Sequence, residues 1–154
     1  MIGMRSNFET KIGVMWVEVE NGKIVGIGFG AIEEKGGDGR NDRIVIQAKT
    51  EINEYLEGVR QGFSLPLELR GSKFQKNVWQ VMAKIPYGIT MSYGEIAKLI
   101  NCKGGARAVG RACGCNPVVI VGPCHRVVRS NGMMGGYSGE LWRKEYLLAL
   151  ERNY

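Results

Sequence analysis

The apolar positions Val14, Trp16, Val17 and Val19 run into the polar Asn21-Gly22, and beyond it Ile24, Val25, Ile27 and Phe29 return. Asn-Gly is the dipeptide that a tight hairpin turn favours, so the two runs are predicted to pair. Residues 1–6 are predicted as a third strand, and a polar stretch with Gly36, Gly37 and Gly39 as a loop. Val45, Ala48, Ile52, Tyr55, Leu56 and Val59 then recur at helical spacing, which predicts an amphipathic helix ending near Gly58 or Gly62. Residues 64–71 read as an extended linker.

Beyond the linker the period becomes helical throughout. Phe74, Val78, Trp79, Val81, Met82 and Ile85 mark one helix that Pro86 and Gly88 end. Ser92, with Glu95 three residues on, has the form of a capping box for a second helix that buries Ile96, Leu99 and Ile100. A third helix over about residues 105–114 carries Arg107 and Arg111, and the pair reads as a helix-turn-helix. Asn116-Pro117 breaks it, and Val118–Val121 is predicted to be a buried, extended segment. A last helix over Leu141–Glu151 is predicted to bury Leu141, Tyr146, Leu147 and Leu150. The expectation is an α+β fold: a sheet-plus-helix domain over 1–63, a linker over 64–71, and a helical, winged-helix-like domain over 72–154.

Composition narrows the function classes. With 44% apolar and 23% charged residues, the chain is an ordinary globular one with no run long enough to span a membrane. MIGMRSNFETK lacks the apolar core of a secretory leader, so a cytoplasmic protein, or a nuclear one in a eukaryote, is expected, with its four cysteines reduced. The net charge of +6 is unevenly placed. Residues 1–68 hold 8 Lys/Arg against 11 Asp/Glu, whereas residues 69–154 hold 13 against 4. That asymmetry points the second half at a polyanion, foremost nucleic acid.

The chemistry is concentrated at Pro123-Cys124-His125-Arg126-Val127, where the only histidine of the chain adjoins a cysteine. A thiolate is the reactive form of cysteine, and a neighbouring imidazole or helix N-terminus favours it. In a regular strand, adjacent side chains point to opposite faces. The segment is therefore expected to turn, or to begin a short helix, at Pro123.

The ordered series LPLELRGSKFQKNVWQ, IPYGITMSYGEIA, ARAVGRACGCNP, PCHRVV, GGYSG and LLALE resembles the O6-alkylguanine-DNA alkyltransferases over essentially all of residues 64–154. The resemblance implies that Cys124 accepts an alkyl group from damaged guanine. It implies that His125 takes the thiol proton through a water, that Glu151 orients His125, and that Asn116 braces the turn before the nucleophile. It places Tyr93, Tyr137, Ser138 and Val127 around the base, and Arg107, Ala106, Gly110, Arg111 and Arg126 on the DNA. The implied partner is duplex DNA bearing an alkylated guanine, entered from the minor groove by a monomer, with the base extruded and Arg107 in its place. No cofactor and no metal are implied.

The chain departs from the family pattern in places. Cys113, Gly114 and Cys115 end the third helix, Gly122 stands where a bulky apolar residue is expected, and the first 62 residues contain no cysteine and no zinc-binding histidine. Cys102, Cys113 and Cys115 are read as small packing residues. Three rivals remain open at this level: a damage sensor that does not repair, a self-alkylating regulator, and a Cys-His hydrolase.

Overall fold

The computed structural model describes residues 3–37, 39, 42–102 and 104–152. The chain divides into two units, one reaching Arg70 and also taking Pro117–Val121, the other holding Gly71–Asn116 and everything from Gly122 on. Each unit is built from elements that the pattern of side chains accounts for, with instructive exceptions.

In the first unit β1 (Met4–Thr10), β2 (Gly13–Glu20) and β3 (Lys23–Phe29) form an antiparallel sheet in that order. Asn21 (φ 52°) and Gly22 (φ 75°) make the β2–β3 turn with the two positive-φ residues a type I′ turn needs. The first strand differs from the expectation. It runs from Met4 to Thr10 rather than over 1–6, of which residues 1 and 2 lie outside the described ones. Thr10 makes that longer hairpin: its hydroxyl donates to the Gly13 carbonyl (2.6 Å) and accepts from the Ile12 amide (3.1 Å). A threonine turn of this kind has no Asn-Gly signature to read.

Met15, Val17, Ile24 and Ile27 are buried from the sheet, and Val45, Ala48, Ile52 and Tyr55 from helix α1 (Arg43–Leu56). On β2, Trp16 faces β3 at Gly26 and Gly28; a Cβ on Gly28 would stand 2.6 Å from the indole, so only glycine admits the ring. The helix stops at Leu56, and Val59, expected on its apolar face, is 73% exposed. The linker is in part an edge of the sheet: Ile24 donates to Pro66 O (2.8 Å) and Glu68 donates to Ile24 O (2.9 Å).

Residues 117–119 pair with β3 further along the same strand, through Ile27 N to Pro117 O (2.8 Å) and Val119 N to Ile27 O (3.2 Å). The extension ends at Ile120, which is buried at φ 72° inside a three-residue turn closed by Val121 N to Val119 O (2.8 Å). Positive φ on a β-branched residue is a strained state that the surrounding structure must impose.

The second unit contains α2 (Lys73–Ala83), α3 (Tyr93–Leu99), α4 (Ala106–Gly114) and α5 (Leu141–Arg152). A two-residue parallel pair, β4 (Met91–Ser92) with β5 (Val127–Val128), completes it. Ser72 and Gln75 form a full capping box on α2 that the sequence reading missed. At α3, Ser92 accepts from the Glu95 amide (3.0 Å) as expected of the N-cap. α4 packs on α2 and α3. Trp79 reaches across from α2 to donate to Ala112 O (2.8 Å) in the core.

Leu99, expected in the core, is 62% exposed. On α5 the buried stripe is Lys144, Leu147, Leu148 and Glu151, with Leu141 exposed and Tyr146 and Leu150 half-buried. Two of the four buried positions are charged, so a search for apolar periodicity finds the wrong face.

Replacing Trp79 with Phe should lower the stability of this unit by about 0.5–1.5 kcal/mol, because Ala112 O loses the indole bond and keeps only the Cys115 amide (3.2 Å). Urea unfolding followed by circular dichroism measures it, and an unchanged midpoint would remove the bond from the account.

Candidate active site

Cys124, His125 and Arg126 form a single 3-10 turn directly after Pro123. Pro123 (φ −82°, ψ 60°) sits at the centre of an inverse γ-turn closed by Cys124 N to Gly122 O (2.8 Å). With about three residues per turn, neighbouring side chains diverge by roughly a third of a circle instead of half. Cys124 and His125 are thereby released from opposite faces.

Asn116 braces the approach. Its side-chain amide donates to Gly122 O (2.7 Å) and to Cys124 Sγ (3.2 Å). Cys124 is 5% exposed, and burial pushes its thiol above the usual range, against the lowering pull of Asn116 and of the Lys144 ammonium. His125 is fully buried, and burial also dominates there, lowering the imidazole despite its bond from Nε2 to Glu151 Oε2 (2.8 Å). Arg126 and Lys144 lower it further. Both shifts favour a neutral thiol beside a neutral imidazole in the resting site.

Glu151 is the hub of this cluster. Besides His125 it accepts from Arg126 Nε on Oε1 (2.8 Å), from Arg126 Nη2 on Oε2 (2.9 Å) and from the Gly88 amide on Oε1 (3.1 Å). Arg126 also donates from Nη1 to Ile85 O (2.7 Å). Arg126, expected on the DNA, is thus buried, and its guanidinium is occupied by Glu151 and a carbonyl. Val127, expected around the base, has no exposed surface, and its carbonyl accepts from Lys144 (2.6 Å). The turn at Pro123 directs both Arg126 and Val127 inward.

Cys124 lies at the wall of a cavity of about 760 Å³. Tyr93, Tyr137 and Ser138 line it, together with Ala106, Arg107, Gly110 and Arg111 from α4. The structure therefore gathers every other expected base-side and DNA-side residue around one opening, with His125 and Glu151 behind the cysteine. Gly135 (φ 72°) lets the loop approach closely, since a Cβ there would meet the Tyr93 hydroxyl at 2.9 Å. Burial and the neighbouring thiols push the Tyr93 phenol up to about 12, so it stays a neutral donor.

The sequence missed two residues here. Cys113 lines the cavity, buried, with its thiol pushed up to about 12 by burial and by Cys124. Lys144 is completely buried within hydrogen-bond reach of Val127 and Gly136. Their only signal was spacing: Cys113 lies two turns along α4 from Ala106, and Lys144 shares a face with Leu147 and Glu151. Cys115 is exposed, and among the described residues no three His, Cys, Asp or Glu side chains cluster as a metal site.

These groups set an expected pH profile of stability. Below about pH 6.5 the unfolded histidine takes up a proton that the buried His125 resists, so stability falls as the solution acidifies. Above about pH 9 the thiol of Cys124 and the phenol of Tyr93 ionise first in the unfolded chain, and stability falls again. Lys144, lowered to about 8, works against the alkaline loss, because the folded state gives up that proton before the unfolded one does. Urea midpoints across this range check the profile, and a His125→Gln variant should flatten its acid limb.

Comparison with known proteins agrees with this geometry. The 6-O-methylguanine DNA methyltransferase, DNA binding domain, matches residues 73–153. The methylated-DNA–protein-cysteine methyltransferase of Mycolicibacterium paratuberculosis is 50% identical over 114 residues, 74% of this chain and 69% of that protein. The inducible one of Bacillus subtilis is 50% identical over 102 residues, 66% of this chain and 57% of its own length. Among solved structures, the Mycobacterium tuberculosis O6-methylguanine methyltransferase superposes with a TM-score of 0.88 at 35% identity, over 98% of this chain and 93% of that one. The Mycobacterium tuberculosis OGT in complex with DNA gives 0.86 at 35%, over 97% and 93%. With the motif series, the Cys-His-Glu cluster and the whole-chain likeness in agreement, this chain belongs to the O6-alkylguanine-DNA alkyltransferase family, the methylated-DNA–protein-cysteine methyltransferases of DNA repair.

Proposed function

We propose that this protein repairs O6-alkylguanine, chiefly O6-methylguanine, in duplex DNA by moving the alkyl group onto Cys124, once per molecule. The observation that carries this reading is the placement of Cys124 in a cavity whose rim is the arginine-bearing α4, with His125 and Glu151 behind it.

The target carbon is stacked inside the duplex, so the base has to leave the stack before the sulfur can reach it. The basic α4, entering the minor groove, supplies phosphate contacts through Arg111, and Arg107 fills the vacated place. His125 takes the thiol proton through a water as Glu151 steadies the growing positive charge. The sulfur electron pair then forms the S–C bond while the C–O bond breaks and its pair remains on guanine O6. The neutral Tyr93 phenol is suited to donate to that departing base. A thioether has no ready route back to a thiol, which makes the reaction stoichiometric and the protein a reagent acting as a monomer in the cytoplasm or nucleus.

Intact-mass analysis after incubation with a duplex containing O6-methylguanine tests this directly. One methyl per chain, mapped to Cys124, is expected. Unmodified protein beside repaired DNA would point to hydrolytic turnover, and unmodified protein beside unrepaired DNA to a sensor.

The role of Arg107 has its own test. Arg107→Ala should slow transfer sharply on a paired duplex, where unstacking costs a few kcal/mol, and hardly at all on free O6-alkylguanine. Arg111→Ala should weaken binding to every duplex and lower the salt slope by about one. Equal losses on duplex and free base would assign Arg107 to the pocket wall instead.

A further inference from the structure

Arg129 lines the cavity, and nothing in the transfer chemistry described above uses it. It follows Val128 at the end of β5, and the parallel register Met91↔Val127 and Ser92↔Val128 brings it beside Tyr93 as the next pair. Its guanidinium is near enough to pull the Tyr93 phenol down against the effect of burial. A tight turn fixes its backbone: the Arg129 amide donates to Met133 O (2.8 Å), and its carbonyl accepts from the Gly132 amide (3.0 Å). The Asn131 side chain closes that turn by accepting from the Met133 amide (3.0 Å).

The side chain itself is exposed and uncommitted. Arg126 is held by Glu151 and Arg143 by Gly139 O, whereas Arg107, Arg111 and Arg129 make no ion pair or side-chain hydrogen bond among the described residues. No Asp or Glu lines the cavity among the described residues, so three guanidiniums without a counter-charge surround one opening. A cleft lined by one sign of charge focuses its field on an incoming ion of the other sign. Arg107 and Arg111 belong to α4, whereas Arg129 stands on the strand that follows Cys124, and it therefore meets a different part of the DNA. Extrusion swings a nucleotide by about 180° about its backbone, which turns its flanking phosphates toward the mouth through which the base has passed.

We infer that Arg129 is a phosphate-binding residue: its guanidinium takes one of the two phosphates that flank the extruded nucleotide and holds the rotated backbone at the cavity mouth while the base stands before Cys124. This role rests on the alkyl-transfer reading given above. Two parallel N–H bonds from a guanidinium match two phosphate oxygens, so the contact fixes orientation as well as charge. It forms only once the nucleotide has turned, and so it favours the extruded state over the stacked one.

The experiment compares wild type with Arg129→Gln and Arg129→Lys on a paired duplex carrying O6-methylguanine, on the unmodified duplex and on free O6-benzylguanine. Arg129→Gln should lower the second-order transfer rate on the lesion duplex by about tenfold or more, the effect of losing a charged hydrogen bond. The salt slope on that duplex should fall by about one. Binding to the unmodified duplex, and transfer from the free base, which has no phosphate, should be spared. Arg129→Lys keeps the charge without the fork, and should restore the salt slope but only part of the rate. An equal loss on the free base would assign Arg129 to Tyr93 and the pocket. An equal loss on the unmodified duplex would make it a general contact like Arg111. Either result overturns the proposal.

A neutral methylphosphonate at one or the other linkage flanking the lesion supplies a second measurement, whose first half needs wild type alone. One of the two substitutions should slow wild type by about as much as Arg129→Gln does. On that substrate Arg129→Gln should lose nothing further, because the partner of its guanidinium is already gone. A wild type indifferent to both substitutions, or losses that simply multiply, overturn the proposal. If wild type takes up no alkyl group at Cys124, the functional reading fails, while affinities for the lesion duplex with and without the neutral linkage still decide whether Arg129 holds that phosphate.

Discussion

Cys124→Ser should take up no alkyl group at all, yet bind a methylated duplex within about tenfold of wild type, or roughly 1.4 kcal/mol. The wild-type thiol is already held above its ordinary range by burial, so ionisation depends on handing its proton to His125 as substrate arrives. A hydroxyl starts far higher and is a harder nucleophile at a saturated carbon. Asn116 can still donate to the serine oxygen as it does to the sulfur, so the local fold has little reason to change. Mass spectrometry and a gel-shift titration measure the two halves of this expectation. Loss of DNA binding by much more than tenfold would make Cys124 a structural residue as well.

Glu151→Gln is expected to damage both chemistry and stability. Arg126 is 7% exposed and its guanidinium is paired to both carboxylate oxygens, so neutralising Glu151 leaves a buried cation facing an amide. Breaking such a pair from one side costs about 3–5 kcal/mol, a large share of the 5–15 kcal/mol typical of a domain. The transfer rate should fall in parallel, because the amide no longer stabilises an imidazolium at His125. Removing the pair together, as Arg126→Met with Glu151→Gln, should be less destabilising than the sum of the single changes. Urea midpoints for the four members of this cycle measure the coupling. A wild-type midpoint for Glu151→Gln would mean that the Arg126 contacts carry no stability.

What could be read in advance was mostly what is encoded over a few neighbouring residues. Asn21-Gly22, Ser92 and Pro86 act on their own turns, so the hairpin, the α3 cap and the end of α2 were legible. The nucleophile and its partners were legible only through the family motif; no local rule connects Glu151 with His125, 26 residues away. The errors share another property. Lys144 and Arg126 are charged residues in the interior, each with partners distant in sequence, and a scale that sorts side chains by polarity assigns them to the surface. The turn after β1 went unread because Thr10 closes it through its own hydroxyl, with no Asn-Gly pair to mark it.

The short segment at Pro117–Val121 makes the sheet of the first unit a late product of synthesis. Ile27 waits for Val118, about 90 residues downstream, before that part of the β3 edge is paired. At the 5–20 residues per second of a translating ribosome, this leaves an open strand edge exposed for roughly 5–20 s. Unpaired edges are templates for pairing with another chain. The nascent protein should therefore be most prone to aggregate in that interval, and a ribosome stalled before codon 117 should present a chain that chaperones hold longer than one stalled shortly after residue 121 has left the exit tunnel.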